Sequence, residues 1–281
     1  MNSITQFTEE LENNKSFSQN IPSKFLGTKD NTGKKSGFGI QKWKDNSKFL
    51  GYFIKNQASG WGILYHSDGD IFKGEFSSDR INGYGEYSHL NGDFYHGYWV
   101  NDTQYGIGIE TWNDMSKYIG EYKYGMKDGI GVYKWPDNTI YNGEWKGNNI
   151  EGYGIYNFKD GRIFYGEWKN NQMDGYGECV WTDNKIFCGF YKRDKKDGFG
   201  IFYWPKDKFF IGFWREGKQN GVGKFIKEDI TKYGIWKDGK REKWFRDENE
   251  FFDNFESNNK KYIKLFSWKK SKLKDFMRFG E

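Results

Sequence analysis

Aromatic and apolar side chains alternate with polar ones through most of this chain of 281 residues, and glycine interrupts the alternation at fixed intervals. Runs such as Ile140-Tyr141-Asn142-Gly143-Glu144-Trp145-Lys146 have the two-residue period of a half-buried strand and carry no helical stripe. Gly37, Gly60, Gly83, Gly106, Gly129, Gly152, Gly175, Gly198 and Gly221 follow one another at 23 residues without a slip. Each has a second glycine two positions on, from Gly39 to Gly223, and eight of the nine have a third fourteen positions on, at Gly51, Gly74, Gly97, Gly120, Gly143, Gly166, Gly189 and Gly212. In the ninth it comes one residue early, at Gly234. A short constant period marks a repeat array, in which each unit buries its apolar side against its neighbours. Gly152-Tyr153-Gly154 therefore reads as one copy of that array. A phosphate-binding loop would need a further glycine and a helix directly after it, and an alternating run follows instead.

Each copy predicts a strand, a tight turn, a second strand and a loop. Asp68-Gly69, Asn91-Gly92 and Asp160-Gly161 mark the turn, with Asp45-Asn46, Asp137-Asn138 and Asp183-Asn184 as variants. Such pairs suit the two positive φ angles of a two-residue hairpin turn. Counting outwards from it sorts each copy into two faces. One collects the aromatics two before and two after the third glycine: Tyr95 and Trp99, Tyr118 and Tyr122, Tyr141 and Trp145, Phe164 and Trp168, Phe187 and Tyr191, Phe210 and Trp214. The same count adds the residue between the first two glycines (Phe38, Trp61, Tyr84, Tyr153, Tyr176, Phe199) and Ile40, Ile63, Ile109, Val132, Ile155 and Ile201. The expectation is a structural ladder of rings, with Gly97, Gly120, Gly143, Gly166, Gly189 and Gly212 left bare so that rings lie across the backbone, and Gly152 and Gly154 as further structural glycines. Trp112, Trp135, Trp181 and Trp204 near the tips, with Ile140 and Ile186, are assigned to a shorter stripe on the opposite face.

The string Tyr141-Asn142-Gly143-Glu144-Trp145, then Gly152-Tyr153-Gly154, Asp160-Gly161 and Tyr165-Gly166-Glu167-Trp168, closely resembles the MORN (membrane occupation and recognition nexus) repeat. The resemblance covers about nine copies over residues 37–240, with a half-copy at Lys24 to Gly27. It implies an all-β fold: an elongated single-sheet array of antiparallel β-hairpin repeats. It also implies a scaffold of cilia, cell cortex or membrane junctions, similar to the MORN proteins of the ciliary radial spoke head. Residues 1–36 read as an N-terminal short helix, over Ser3 to Leu11, and an extended arm; residues 241–281 read as a capping or docking tail.

Composition narrows the function. Aromatics make up 21% of the chain and glycine 37 residues, so the interior is built from rings. The net charge of +5 is spread over 44 basic and 39 acidic residues, a mixed surface that argues against nucleic acid. No apolar run approaches membrane-spanning length, and the chain reads as a soluble protein of the cytoplasm and cytoskeleton, placed in the ciliary axoneme by the resemblance. Cys179 and Cys188 count as opposite each other across a hairpin, and are read as two reduced thiols. His66, His89 and His96 sit in places that do not share a zinc ion, and Glu75, Glu121, Glu144 and Glu167 are read as cross-strand partners of lysines. Nucleophile, base and orienting group do not assemble, so no enzyme, metal or cofactor is expected. Lys260, Lys261, Lys264, Phe266, Trp268, Lys269, Lys270 and Phe276 form a basic amphipathic segment, the candidate docking or lipid contact. Partners expected are other proteins of a large axonemal assembly, with an anionic membrane surface and a second MORN array as alternatives.

Overall fold

The computed structural model describes residues 23–254, as one compact unit to Asn113 and a second from Asp114. The first holds β1 (Lys24–Lys29), β2 (Lys35–Lys42), β3 (Lys48–Ile54), β4 (Gln57–Tyr65), β5 (Ile71–Ser77), β6 (Arg80–Ser88), β7 (Phe94–Val100) and β8 (Thr103–Thr111). The second holds β9 (Lys117–Lys123), β10 (Met126–Lys134), β11 (Ile140–Lys146), β12 (Asn149–Asn157), β13 (Ile163–Lys169), β14 (Gln172–Val180), β15 (Ile186–Lys192), β16 (Lys195–Trp204), β17 (Lys208–Arg215), β18 (Lys218–Lys227), β19 (Ile230–Lys237) and β20 (Lys240–Trp244), then a short helix, α1 (Glu248–Asp253). Within each unit every strand pairs antiparallel with the next in sequence, giving an all-β meander of hairpins. β1 takes residues that the sequence assigned to the N-terminal arm, and most of β20 and all of α1 take residues assigned to the tail. The helix expected over Ser3 to Leu11 and the basic segment from Lys260 lie outside the described residues.

Two kinds of turn alternate, and the hairpins predicted at the Asp-Gly sites are present with a different loop length from the one the sequence count assumed. The Asp-Gly sites close three-residue loops. Phe158 N–H donates to Arg162 O and Gly161 N–H to Phe158 O, and only Gly161 has a positive φ, a type I turn ending in a one-residue bulge. The turn aspartate accepts from the amide two residues on, as in Asp137 to Thr139, Asp160 to Arg162 and Asp183 to Lys185. The two-residue turns, with positive φ at both residues, are instead the former loops: Lys55-Asn56, Ser78-Asp79, Asn101-Asp102, Gly147-Asn148, Asn170-Asn171 and Arg193-Asp194. Their second residue reaches back 21 positions to the preceding copy. Asn171 accepts from Ile150 N–H and returns its own N–H to Ile150 O, and Asp194 does the same to Met173.

Centring the loop on Asp160 shifts the register by one residue from the sequence count. Gly154 faces Gly166, Tyr156 faces Phe164 and Ile155 faces Tyr165. Because strand side chains alternate, a one-residue slip sends a whole strand's set to the other side. The residues between the first two glycines and their neighbours Ile40, Ile63, Ile109, Val132, Ile155 and Ile201 therefore leave the ladder and lie on the reverse face. Trp135, Trp181 and Trp204 move the other way, resting against Tyr156 and Phe202 on the ladder side at centroid distances of 5.5, 5.6 and 4.3 Å.

The ladder itself holds the sheet. Tyr141 meets Trp145 of its own copy at 5.4 Å and Trp168 of the next at 5.6 Å, both edge to face, and the pattern repeats in Phe164 with Trp168 and Tyr191, Phe187 with Tyr191 and Trp214, and Phe210 with Trp214 and Trp236. In the first unit Phe49 bridges Phe53 and Phe76 in the same way, and Tyr95 packs on Trp99. Each such pair contributes about 0.5–1.5 kcal/mol beyond its buried area. Under the rings runs an unbroken row of glycines, Gly120 facing Gly131, Gly131 facing Gly143, and so on through Gly154, Gly166, Gly177, Gly189, Gly200, Gly212 and Gly223 to Gly234. The Tyr141 ring crosses two of them, so a Cβ at Gly154 would stand 2.4 Å from its carbons.

Candidate interaction surfaces

The first glycine of each copy has a positive φ and opens a bulge beside the two-residue turn. Glu144 reaches into the bulge at Gly152 and accepts from Tyr153 N–H at 2.8 Å; Glu121 and Glu167 accept likewise from Ile130 and Tyr176. These repeated carboxylates thus hold backbone N–H groups where the sequence suggested lysines. Removing backbone donors from solvent in this way stabilises the bulge and leaves the side chain between the glycines pointing outward.

The reverse face is consequently rich in exposed apolar groups. In the first unit Trp61, Tyr84, Tyr98 and Ile107 are open, Trp61 being 52% exposed. In the second, Ile119, Ile130, Tyr153, Ile155, Tyr165 and Tyr176 are open. The same face changes character at β15. Phe199 occupies the repeat position of Tyr153 and Tyr176, yet it is 5% exposed against their 63% and 40%. Cys188, Ile201, Phe209, Ile211 and Ile226 are buried with it, in one cluster with Phe245 and Phe251 of the segment that follows β20. Asp247 caps α1 by accepting from Glu250 N–H, and Tyr233 donates to Glu248, which fastens that segment down.

The ladder face has its own groove in the second unit, a cavity of about 600 Å³ lined by Trp135, Tyr156, Phe158, Trp168, Ile150 and Met173. Arg162 stacks on Phe158 at its rim. In the equivalent place near Trp181 and Phe202, Lys196 lies over four rings at 4.7–5.2 Å, and burial brings its pKa down to about 8. The Lys196 amine thus lies among the rings at a place whose desolvation disfavours its charge.

Cys179 faces Phe187 on the ladder side, whereas Cys188 faces Glu178 on the reverse side, so the two thiols do not oppose each other. The one-residue register shift is again the reason. Burial pushes the Cys179 thiol up to about 11 and raises Cys188 as well, where Glu178 adds to the effect. His89 Nδ1 pairs with Asp70 at 2.8 Å, Tyr87 donates to the same carboxylate, and His66 stacks on Tyr87, a local structural cluster. Among the described residues no three His, Cys, Asp or Glu side chains converge as a metal site, and no helix is long and apolar enough to cross a membrane.

A meander of 23-residue hairpin pairs, stitched by an aromatic ladder over a glycine row, defines a β-hairpin repeat protein. The MORN repeat profile matches residues 33–48, 72–94, 95–114, 118–140, 141–161, 164–186, 187–207 and 210–229, and the chain belongs to the MORN repeat family. No curated protein sequence matches it. Among solved structures it is similar to the TCP10 domain of Danio rerio CPAP in complex with a peptide of Danio rerio STIL, at 10% identity and a TM-score of 0.46, over 80% of this chain and 100% of that one. It is also similar to the G-box domain of the microcephaly protein CPAP, at 18% identity and a TM-score of 0.41, over 67% of this chain and 100% of that one. At such identities the likeness concerns the backbone alone.

Proposed function

We propose that this protein is a non-catalytic scaffold that binds other proteins through the reverse face of its repeats, in an assembly of the ciliary axoneme like that of the radial spoke head. The observation that carries the binding role is the band of outward rings and isoleucines, Trp61, Tyr84, Tyr98 and Ile107 in the first unit. Contiguous exposed apolar area on a soluble surface marks an interaction site, and aromatics are the side chains that dominate such interfaces. A sheet face offers area rather than a pocket, which suits a partner protein better than a small substrate. The axonemal setting is supported by the family resemblance and by the Lys- and Asn-rich, Pro-poor composition. Tagging the protein in a ciliated cell tests the setting, and cross-linking mass spectrometry on the recovered complex tests the face. Retention at the cortex with none in demembranated axonemes would refute the former; cross-links confined to the ladder face would refute the latter.

A second reading, a peripheral adaptor that binds anionic lipid, is favoured by the lysines from Lys260 to Lys274 with Phe266 and Trp268 between them. Each lysine near such a surface contributes about 1 kcal/mol. Flotation with anionic vesicles at low salt separates the two readings.

A further inference from the structure

The chain covers part of its own reverse face. Phe245 and Phe251 close over β15–β19, and Asn254, where the described chain stops, lines a cavity of about 930 Å³ together with Lys192, Phe213, Val222 and Ile235. Beyond that point, from β14 back to β9, the same face is open. Its central charged side chains are Glu121, Glu144, Glu167 and Glu178, with lysines only at strand ends. Residues 255–281 carry eight basic and three acidic side chains, which is the whole of the chain's excess of +5. They also carry Tyr262, Ile263, Phe266, Leu273, Phe276 and Met277.

We propose that residues 255–281 continue the cover already begun by Phe245 and α1, and dock on the acidic and apolar reverse face of β9–β14 as a built-in occupant. Three observations select this occupant. The interface is continuous with one the structure displays. The charges are complementary, lysines against the central glutamates. The reach also fits: six strand spacings of about 4.8 Å take about 29 Å from β15 to β9, within the contour of the 27 residues that follow Asn254 at up to about 3.3 Å each. The first unit's reverse face, which the tail does not need, stays open to partners, so this assignment stands or falls independently of what that face binds.

The test uses the full chain with Tyr153→Cys as a reporter and Tyr84→Cys, on the first unit, as a control, in separate proteins. Cys179 and Cys188 are buried and remain unlabelled while the fold is intact. Maleimide labelling at position 153 is compared with that of a chain that also carries Ile263→Glu and Phe266→Glu. A docked tail that is favoured by about tenfold slows labelling by about tenfold. The tail substitutions and high salt then both restore the rate, while position 84 is unaffected. Equal rates at position 153 in both tail backgrounds would overturn the assignment. Protection that survives the tail substitutions and grows with protein concentration would give the face to a second copy, and would overturn it equally.

Discussion

Gly177→Ala separates the role of the rings from that of the sheet backbone. A Cβ at this position would stand 2.4 Å from Phe164 Cζ and 2.5 Å from Cε2, whereas the nearest backbone atom, Tyr165 O, is 3.1 Å away. Directly across the strand, at Gly166, the obstacle is mainly backbone: Gly177 Cα at 2.6 Å and Tyr176 O at 2.7 Å, beside the ring at 2.7 Å. Carbon atoms settle at about 3.5–4.0 Å, so the ring must withdraw by about 1 Å. It is held edge to face by Trp168 at 5.3 Å and Tyr191 at 5.1 Å, and has nowhere to go. Replacing a strand glycine by alanine normally stabilises by about 0.5–1 kcal/mol, yet overpacking costs about 1–3 kcal/mol. The net loss of stability expected is up to about 2.5 kcal/mol, a fall of up to about 10 °C in Tm at about 2–4 °C per kcal/mol for an ordered chain of this size. Phe164→Val removes the obstacle. In that background Gly177→Ala becomes close to neutral, a coupling of about 1–2 kcal/mol, while Gly166→Ala keeps its cost because the facing backbone has not moved. The cycle is read by urea unfolding, with the slope checked for partial unfolding of the array. Additive losses for Gly177→Ala and Phe164→Val would refute the idea that the glycine row exists to seat the rings.

Two other outcomes follow from the turns. Asp194→Ala removes the acceptor for Met173 N–H and should cost about 0.5–2 kcal/mol in thermal or urea unfolding, as loss of a cap does, whereas Asp194→Asn should be nearly silent because Asn171 and Asn148 do the same work in their copies. The loop aspartates Asp45, Asp114, Asp137, Asp160 and Asp183 have lowered pKa values, first through the side chains of Ser47, Ser116, Thr139 and Lys185 and, for Asp160, the Arg162 amide. A folded pKa below the unfolded value contributes stability that is present above about pH 4 and is lost as pH falls through the folded value. Urea midpoints should accordingly drop as the pH falls below about 4, less steeply with Asp137→Asn and Asp114→Asn in place; an unchanged slope would mean that these contacts do not discriminate the ionised form.

The period, the hairpins and the ring ladder are legible in the sequence because each repeats nine times with the same residue types at the same spacing. The register is not, and the reason is chemical. Asp-Gly serves a two-residue turn with two positive φ angles, and equally a three-residue loop whose last residue alone is left-handed. The difference is one residue in the pairing count. Asp45 with Ser47, Asp114 with Ser116 and Asp137 with Thr139 carry the clue, a turn aspartate two residues before a hydroxyl that it binds. Gly147 shows the converse: it lies in a segment assigned to a connecting loop, yet its φ of +54° makes it the first residue of a two-residue turn, where Lys55, Asn101, Asn170 and Arg193 accept the same conformation in other copies. One slip thus moved the cysteines out of opposition, turned Trp135 and Trp181 onto the ladder, and took Tyr153, Tyr176 and Trp61 off it. Those three rings are the functional consequence. Read as core, they explain only stability; placed outward by the bulge, whose amide a glutamate has taken at Tyr153 and Tyr176, they become part of the surface on which we propose that a partner or the chain's own tail is received.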